Sequence, residues 1–81
     1  MTNDNILKIS HILDTSGLNC PLPILKAKKA LNTLQSGQLL QVIATDPAAS
    51  IDFAAYCAQT GHELVEERRE AERTVFVLRK R

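Results

Sequence analysis

The sequence has very few aromatic residues, so large rings cannot form most of its core. Aromatic residues make up 4% of the 81 residues, and Trp is missing altogether. Leu, Ile, Val and Ala must therefore fill the interior. In a chain this short, a second domain would have no core of its own. We expect residues 1–81 to form a single domain.

The sequence also lacks an excess of charge of one sign, and it lacks long apolar runs. Ten basic and nine acidic residues give a net charge of +1, which provides no overall field for holding nucleic acid by its phosphates. No apolar run approaches the length of a membrane span, and residues 1–5 lack the basic start and apolar stretch of a signal peptide. We expect a soluble cytoplasmic protein that binds neither nucleic acid nor membrane directly.

Cysteine and histidine are too few and too scattered to form a familiar cluster. The two cysteines, Cys20 and Cys57, form neither a Cys-x-x-Cys redox pair nor a disulfide framework. His11 and His62 do not combine with them at the spacing of a compact metal site. A Gly-rich phosphate loop and a cofactor fingerprint are also missing. The sequence thus predicts no cofactor and no metal.

Six short periodic segments follow one another in the order strand, helix, strand, helix, strand, strand. The predicted strands cover residues 6–13, 39–45, 64–69 and 73–79. The first predicted helix runs from Pro21 to about Gln35 and is closed by Ser36 and Gly37. The second is capped by Asp46, has Pro47 in its first turn, and ends at Gly61.

This order predicts an α/β (α+β) fold. A strand, helix, strand unit makes a right-handed crossover and leaves its two strands parallel, whereas the last two strands form an antiparallel hairpin. We expect a two-layer βαβαββ sandwich with a mixed four-stranded sheet and two helices on one face. The other face is left to solvent, with polar residues such as Lys8, Ser10, Gln41, Glu66 and Arg68.

Periodicity alone does not choose the buried face of the second helix. Phe53 and Cys57 fall on one stripe, and Ile51 and Ala55 fall on nearly the opposite one. Side-chain size favours Phe53 and Cys57 as core residues. Cys57 is then a buried, inert thiol, with a resolving or accessory sulfur as the alternative, and Ile51 and Ala55 are candidates for a surface that faces a partner.

Cys20 is the residue with the clearest chemical use. It stands in the run 17–23, Gly-Leu-Asn-Cys-Pro-Leu-Pro, and prolines are tolerated in a first helical turn because its N–H groups have no intrahelical acceptor. We therefore expect the helix to start at the cysteine, with its dipole favouring the thiolate and lowering the pKa. The alternative is a small buried residue at a helix start. Three lysines add positive charge within the next turns: Lys26, Lys28 and Lys29.

Several polar residues near this run allow two interpretations. Asp46 is either a helix cap or a partner contact beside the Cys20 loop. His62 either interacts with the last carbonyls of the second helix, or simply starts the next strand, or assists Cys20 as a base. The three lysines form either a solvated face or a docking surface for an acidic partner.

Two blocks of the sequence resemble the TusA/SirA-like sulfur-carrier family. Cys20-Pro21-Leu22-Pro23 matches its Cys-Pro-x-Pro signature, preceded by the lead-in Leu13-Asp14-x-x-Gly17-Leu18. The second block consists of Asp46-Pro47, Asp52-Phe53, Cys57 and Gly61-His62-Glu63-Leu64. The resemblance runs from about Leu13 to the C-terminus, and the fold of that family agrees with the one expected above.

The resemblance implies a sulfurtransferase that carries sulfur as a persulfide on Cys20. Similar proteins take sulfur from a cysteine desulfurase and pass it to an acceptor such as a TusBCD-type complex, in a relay that ends in 2-thiolation of the tRNA wobble uridine. Other relatives serve in sulfur oxidation, thiosulfate-derived sulfur trafficking or molybdenum-cofactor supply. Outside sulfur transfer, a non-catalytic regulatory module and a thiol redox sensor remain alternatives.

A carrier with one reactive thiol must present it to different partners through the surrounding surface. We expect a monomer whose partner surface includes Pro21, Pro23, Lys26, Lys28, Lys29 and Asp46.

Overall fold

A computed structural model describes residues 8–81, in which the six expected elements follow in the expected order. The first predicted strand begins at Ile6, and its residues 6 and 7 lie outside the described residues. No helix in the described part is both long and apolar enough to cross a membrane. The elements are β1 (Ile9–Thr15), α1 (Leu22–Leu31), β2 (Leu39–Ala44), α2 (Ala49–Thr60), β3 (Glu63–Arg69) and β4 (Thr74–Arg79).

The four strands form one mixed sheet in the order β1-β2-β4-β3. β1 and β2 are parallel, as the crossover requires, and β4 pairs antiparallel with both β2 and β3. The α+β class and the mixed sheet are therefore confirmed. The parallel pair brings the carboxyl ends of β1 and β2 to the same edge of the sheet.

The main core lies between the sheet and the two helices. Phe53 and Phe76 are fully buried, and their ring centroids lie 4.7 Å apart. Cys57 is 6% exposed in this core, whereas Ile51 is 75% exposed, so the choice of buried face made from side-chain size is confirmed. Aliphatic residues surround the rings, including Ala27, Leu31, Leu40, Val42 and Leu78.

The opposite face of the sheet is less polar than the sequence predicts. Val75 and Val77 alternate with the core residue Phe76, so they point away from the helices, yet both are buried. Arg68 pairs with Val75 across the strands and forms ion pairs with Glu66 and Glu70. Of the expected polar residues, Gln41, Glu66 and Arg68 lie on this face, beside a second, smaller apolar layer.

Helix α1 ends at Leu31, before the predicted end near Gln35. The Lys80 ammonium donates a hydrogen bond to the Leu31 carbonyl oxygen at 2.9 Å, and the Thr33 hydroxyl donates to the Ala30 oxygen at 2.7 Å. The same two carbonyl oxygens accept hydrogen bonds from the backbone N–H groups of Thr33 and Leu34, so the chain tightens into turns here instead of continuing the α-helix. Lys80 comes from the far end of the chain, so local periodicity could not reveal this ending.

Helix α2 begins at Ala49, with Ala48 at the N-cap position and no side-chain cap. The prediction that Asp46 caps this helix is therefore wrong. One carboxylate oxygen of Asp46 accepts a hydrogen bond from the N–H of Ala48 at 3.4 Å, just before the helix, and the other accepts one from the backbone of Cys20 at 3.0 Å. At the other end, Gly61 closes the helix as predicted, with a φ of +89° that suits glycine.

Candidate functional site

The loops that follow β1 and β2 are tied together around Cys20. The backbone N–H of Gly17 donates to the Thr45 hydroxyl at 2.8 Å. The N–H of Cys20 donates to Oδ2 of Asp46 at 3.0 Å. Both bonds join residues far apart in the sequence, because the parallel strands end side by side. The position of Cys20 is thus fixed by the sheet as well as by its own loop.

Cys20 is exposed and lies just before α1, rather than at its first residue. Pro21 occupies the N-cap position, the Cys20–Pro21 peptide bond is cis, and the N–H of Leu22 donates to the Asn19 oxygen at 2.8 Å. Pro23 is buried in the first turn, so its predicted place in a partner surface is wrong.

Two carboxylates stand beside the Cys20 sulfur. Sγ of Cys20, one oxygen of Asp46 and one oxygen of Asp52 lie within 4.8 Å of one another. A hydrogen bond to Asp52, desolvation, and the negative charges of Asp52 and Asp46 raise the pKa of the Cys20 thiol. The predicted lowering of this pKa is therefore wrong, because nearby carboxylates oppose the effect expected from the helix dipole and the lysines.

Sequence reasoning did not identify Asp52 as a site residue. It appeared only as part of the second block of the family resemblance. Asp52 lies in the first turn of α2, where the helix dipole favours a negative charge. A signal for its role was available, since the predicted crossover brings the start of the second helix to the sheet edge that carries Cys20.

A shallow groove between α1 and α2 extends from the thiol. Its volume is about 220 Å³, and Cys20 and Asp52 lie among its lining residues. Exposed aliphatic side chains on the two helices add apolar surface near the site: Leu22 is 44% exposed, Leu25 53% and Ile51 75%. The other lining residues are Pro21, Ile24, Ala55, Tyr56 and Gln59.

The three lysines are exposed, but two of them line a different groove. Lys26 and Lys29 lie with His11 and Leu13 in a groove between α1 and β1. The groove that holds Cys20 lies on the other flank of α1, toward α2. Lys26 and Lys29 are therefore on a surface separate from the thiol groove.

His62 and Cys57 do not join Cys20. His62 follows the C-terminal end of α2, whose last residue, Thr60, lies about 12 Å along the helix axis from Asp52 at the usual rise per residue. Its Nδ1 accepts a hydrogen bond from the Arg81 backbone at 3.0 Å, and burial together with nearby Lys80 and Arg81 lowers its pKa. Burial raises the pKa of Cys57, which fits the inert thiol predicted for it.

Comparison with known proteins agrees with the family resemblance. The profile of the family described as sulfurtransferase TusA matches residues 11–80. The chain is 57% identical over 68 residues to the sulfur carrier protein TusA of Allochromatium vinosum, covering 84% of this chain and 90% of that protein. It is 43% identical over 74 residues to the putative sulfur carrier protein YrkI of Bacillus subtilis, covering 91% and 99%.

A solved structure supports the fold. The SirA-like protein from Desulfitobacterium hafniense superposes with a TM-score of 0.75 over 85% of this chain and 95% of that one. At 21% identity, this likeness concerns the fold alone. The family profile and the identity to the relatives carry the assignment of family. The chain belongs to the TusA family.

Proposed function

We propose that the protein is a sulfur carrier that holds sulfur as a persulfide on Cys20. The observation that carries the proposal is the exposure of Cys20 within the Cys-Pro-x-Pro run, while Cys57 is buried. In the transfer, Cys20 attacks the outer sulfur of a donor persulfide, and the donor S–S bond breaks. Cys20–SH and R–S–SH become Cys20–S–SH and R–SH, so the exchange balances without an oxidant or reductant.

The proposed donor is a cysteine desulfurase, and the proposed acceptor is a relay protein such as a TusBCD-type complex. The relay would end in 2-thiolation of the tRNA wobble uridine and would take place in the cytoplasm. In this relay the protein would act as a sulfurtransferase. Membership of the TusA family and the names of the relatives, which are sulfur carriers, support the carrier part. The tRNA pathway follows from the family resemblance.

The proposed partner surface surrounds the Cys20 loop of a monomeric carrier. Pro21 lines the thiol groove, and Asp46 fixes the backbone of Cys20. Lys26, Lys28 and Lys29 are exposed along α1 and suit an acidic part of the same partner, further from the thiol.

Mass spectrometry after incubation with a cysteine desulfurase and free cysteine tests the carrier function. We expect one additional sulfur atom on the peptide that contains Cys20 and none on the peptide that contains Cys57. Reversible oxidation of Cys20 without a sulfur adduct would favour a redox sensor. No change at Cys20 would favour a regulatory module.

A genetic complementation experiment tests the pathway. The chain is expressed in a strain that lacks its own carrier, and 2-thiouridine in tRNA is measured by retardation in a mercury-containing gel. Restored thiolation supports the tRNA relay. A chain that is loaded with sulfur but restores no thiolation belongs to another route, such as sulfur oxidation or molybdenum-cofactor supply.

A further inference from the structure

The charges around the reactive thiol are negative, although the protein as a whole is slightly basic. The titratable groups that face the Cys20 sulfur are Asp46 from the β2–α2 loop, Asp52 from α2 and, further along the groove, Tyr56. Among residues 8–81, those that line this groove include no Lys or Arg. Nothing basic in the groove lining offsets the two carboxylates.

This arrangement works against the first step of sulfur transfer. A thiol must lose its proton before it attacks, and two adjacent carboxylates oppose the formation of a thiolate. They oppose a persulfide anion on Cys20 for the same reason. The free protein therefore carries a thiol that is sterically accessible but chemically restrained.

A single positive charge would remove the restraint. The thiol sulfur and the two carboxylate oxygens lie within 4.8 Å of one another, so one ammonium or guanidinium group can contact all three. The groove beside them is lined by apolar groups of Pro21, Ile24 and Ala55, and it suits an apolar side chain next to that charge. The charge of the two carboxylates and the shape of the groove together suit a short segment of a partner that carries one basic and one apolar residue.

We propose that Asp46 and Asp52 are positioning residues that hold Cys20 as a restrained thiol in the free carrier, and that the cysteine-bearing loop of its sulfur-exchanging partner releases it with a basic side chain. The partner's cation pairs with the two carboxylates, and the thiol proton leaves to solvent. The Cys20 thiolate attacks the outer sulfur of the partner's persulfide, whose S–S bond breaks as the partner's thiolate leaves. This inference rests on the proposed function, because it names the chemistry of the partner.

The first test measures thiol reactivity in the free chain. The rate at which iodoacetamide, a neutral reagent, alkylates Cys20 is followed against pH for the wild type, Asp52→Asn and the double variant Asp46→Asn/Asp52→Asn. We expect the midpoint to move to lower pH in Asp52→Asn and further in the double variant, with a several-fold higher rate at pH 7. Glu63→Gln removes the same charge at the opposite end of the sheet and should leave the profile unchanged.

The second test measures selection for a cation with three small disulfides. These are cystamine, which is cationic, 2-hydroxyethyl disulfide, which is neutral, and dithiodiglycolate, which is anionic. Each exchanges with Cys20 to give a mixed disulfide and one free thiol. In the wild type at low salt, we expect cystamine to react roughly tenfold faster than dithiodiglycolate. The preference should disappear in the double variant and persist in Asp52→Glu and Glu63→Gln.

The outcomes separate this inference from the proposed function. A thiol whose pH profile and disulfide preference do not change when both carboxylates are neutralised would overturn the inference, whatever the desulfurase does. If the charge preference is as expected but the desulfurase loads no sulfur, the proposed function fails instead. Thermal unfolding of each variant shows whether it is folded. If the double variant is unfolded, Asp52→Asn alone decides, because Asp46 then still supports the Cys20 loop.

Discussion

The helix termini at the two ends of the sheet differ in the side chains that bind them. At the end away from Cys20, basic side chains close both helices: Lys80 donates to the Leu31 oxygen at 2.9 Å, and Arg81 donates to the Thr60 oxygen at 2.8 Å. At the Cys20 end, neither helix N-terminus has a side-chain cap. The carboxylates there, Asp46 and Asp52, stand beside the thiol.

The difference indicates that one end of this small fold contributes to stability, whereas the other end carries the candidate functional site. Cations at helix C-termini satisfy exposed carbonyls and complement the helix dipole, so the closed end stabilises the protein. The Cys20 end carries exposed apolar side chains and an exposed thiol, which bury little surface and therefore contribute little to folding. Changes at the two ends should therefore have separable effects, and the following predictions test this from the largest effect to the smallest.

Replacing Cys20 by Ser should abolish sulfur acceptance and leave the fold intact. The side chain is exposed, so the free energy of unfolding should change by less than about 0.5 kcal/mol. Mass spectrometry after incubation with the desulfurase, together with a thermal unfolding curve, measures both effects. A Cys20→Ser variant that still gains sulfur would show that the reactive group lies elsewhere.

Replacing Cys57 by Ser should have the reverse effect. The hydroxyl would enter the core beside Phe53 and Phe76, and leaving it without a partner costs about 1–3 kcal/mol of stability. Sulfur acceptance at Cys20, measured below the unfolding temperature, should stay close to the wild-type level. Loss of transfer at unchanged stability would contradict the assignment of Cys57 to the core.

Replacing Gly61 by Ala should weaken the closed end alone. Gly61 has a φ of +89°, and an added Cβ would lie 2.6 Å from Cδ of Arg81, whose guanidinium holds the end of α2. We expect a loss of about 1 kcal/mol or more in urea unfolding, because alanine is strained at positive φ. Gly61→Asn is the matched control, since asparagine tolerates this conformation better. An altered Cys20 alkylation rate in either variant would show that the two ends are coupled.

Reversing the charges of Lys28 and Lys29 should have the smallest effect. Both side chains are exposed on α1, so we expect transfer from the desulfurase to slow by up to roughly tenfold at low salt and to lose part of its salt dependence. Alkylation of Cys20 by iodoacetamide should stay nearly unchanged. If both rates fall in parallel, the lysines act on the thiol itself, and unchanged transfer would show that the donor docks elsewhere.

The order of the elements could be predicted because it depends on local patterns. Apolar periodicity placed the strands and helices, and Gly61 marked the end of α2. The crossover rule then gave the parallel β1–β2 pair, and side-chain size placed Phe53 and Cys57 in the core. Each of these inferences uses residues that are close in sequence or a rule that holds for most folds.

The errors concern residues whose partners lie far away in the chain. Asp46 looked like a helix cap because it precedes Pro47 and a helical pattern, yet its carboxylate binds the Cys20 backbone, 26 positions away. The end of α1 was placed too late, and one of the groups that bind its last carbonyls is Lys80, which follows β4 and lies 49 positions from Leu31. Pro23 looked exposed because it follows the reactive cysteine, but it is buried in the first turn of α1.

The sequence by itself singled out Cys20 as the candidate reactive residue, since the Cys-Pro-x-Pro run sets a thiol just before a helix. Only the tertiary structure decided the direction in which the pKa of that thiol is shifted. The β2–α2 loop and the start of α2 bring Asp46 and Asp52 within 4.8 Å of the sulfur, and nearby carboxylates raise a thiol pKa, against the direction expected from the helix dipole. Spacing along the chain carries no information about such a contact, because electrostatic interaction depends on distance in space.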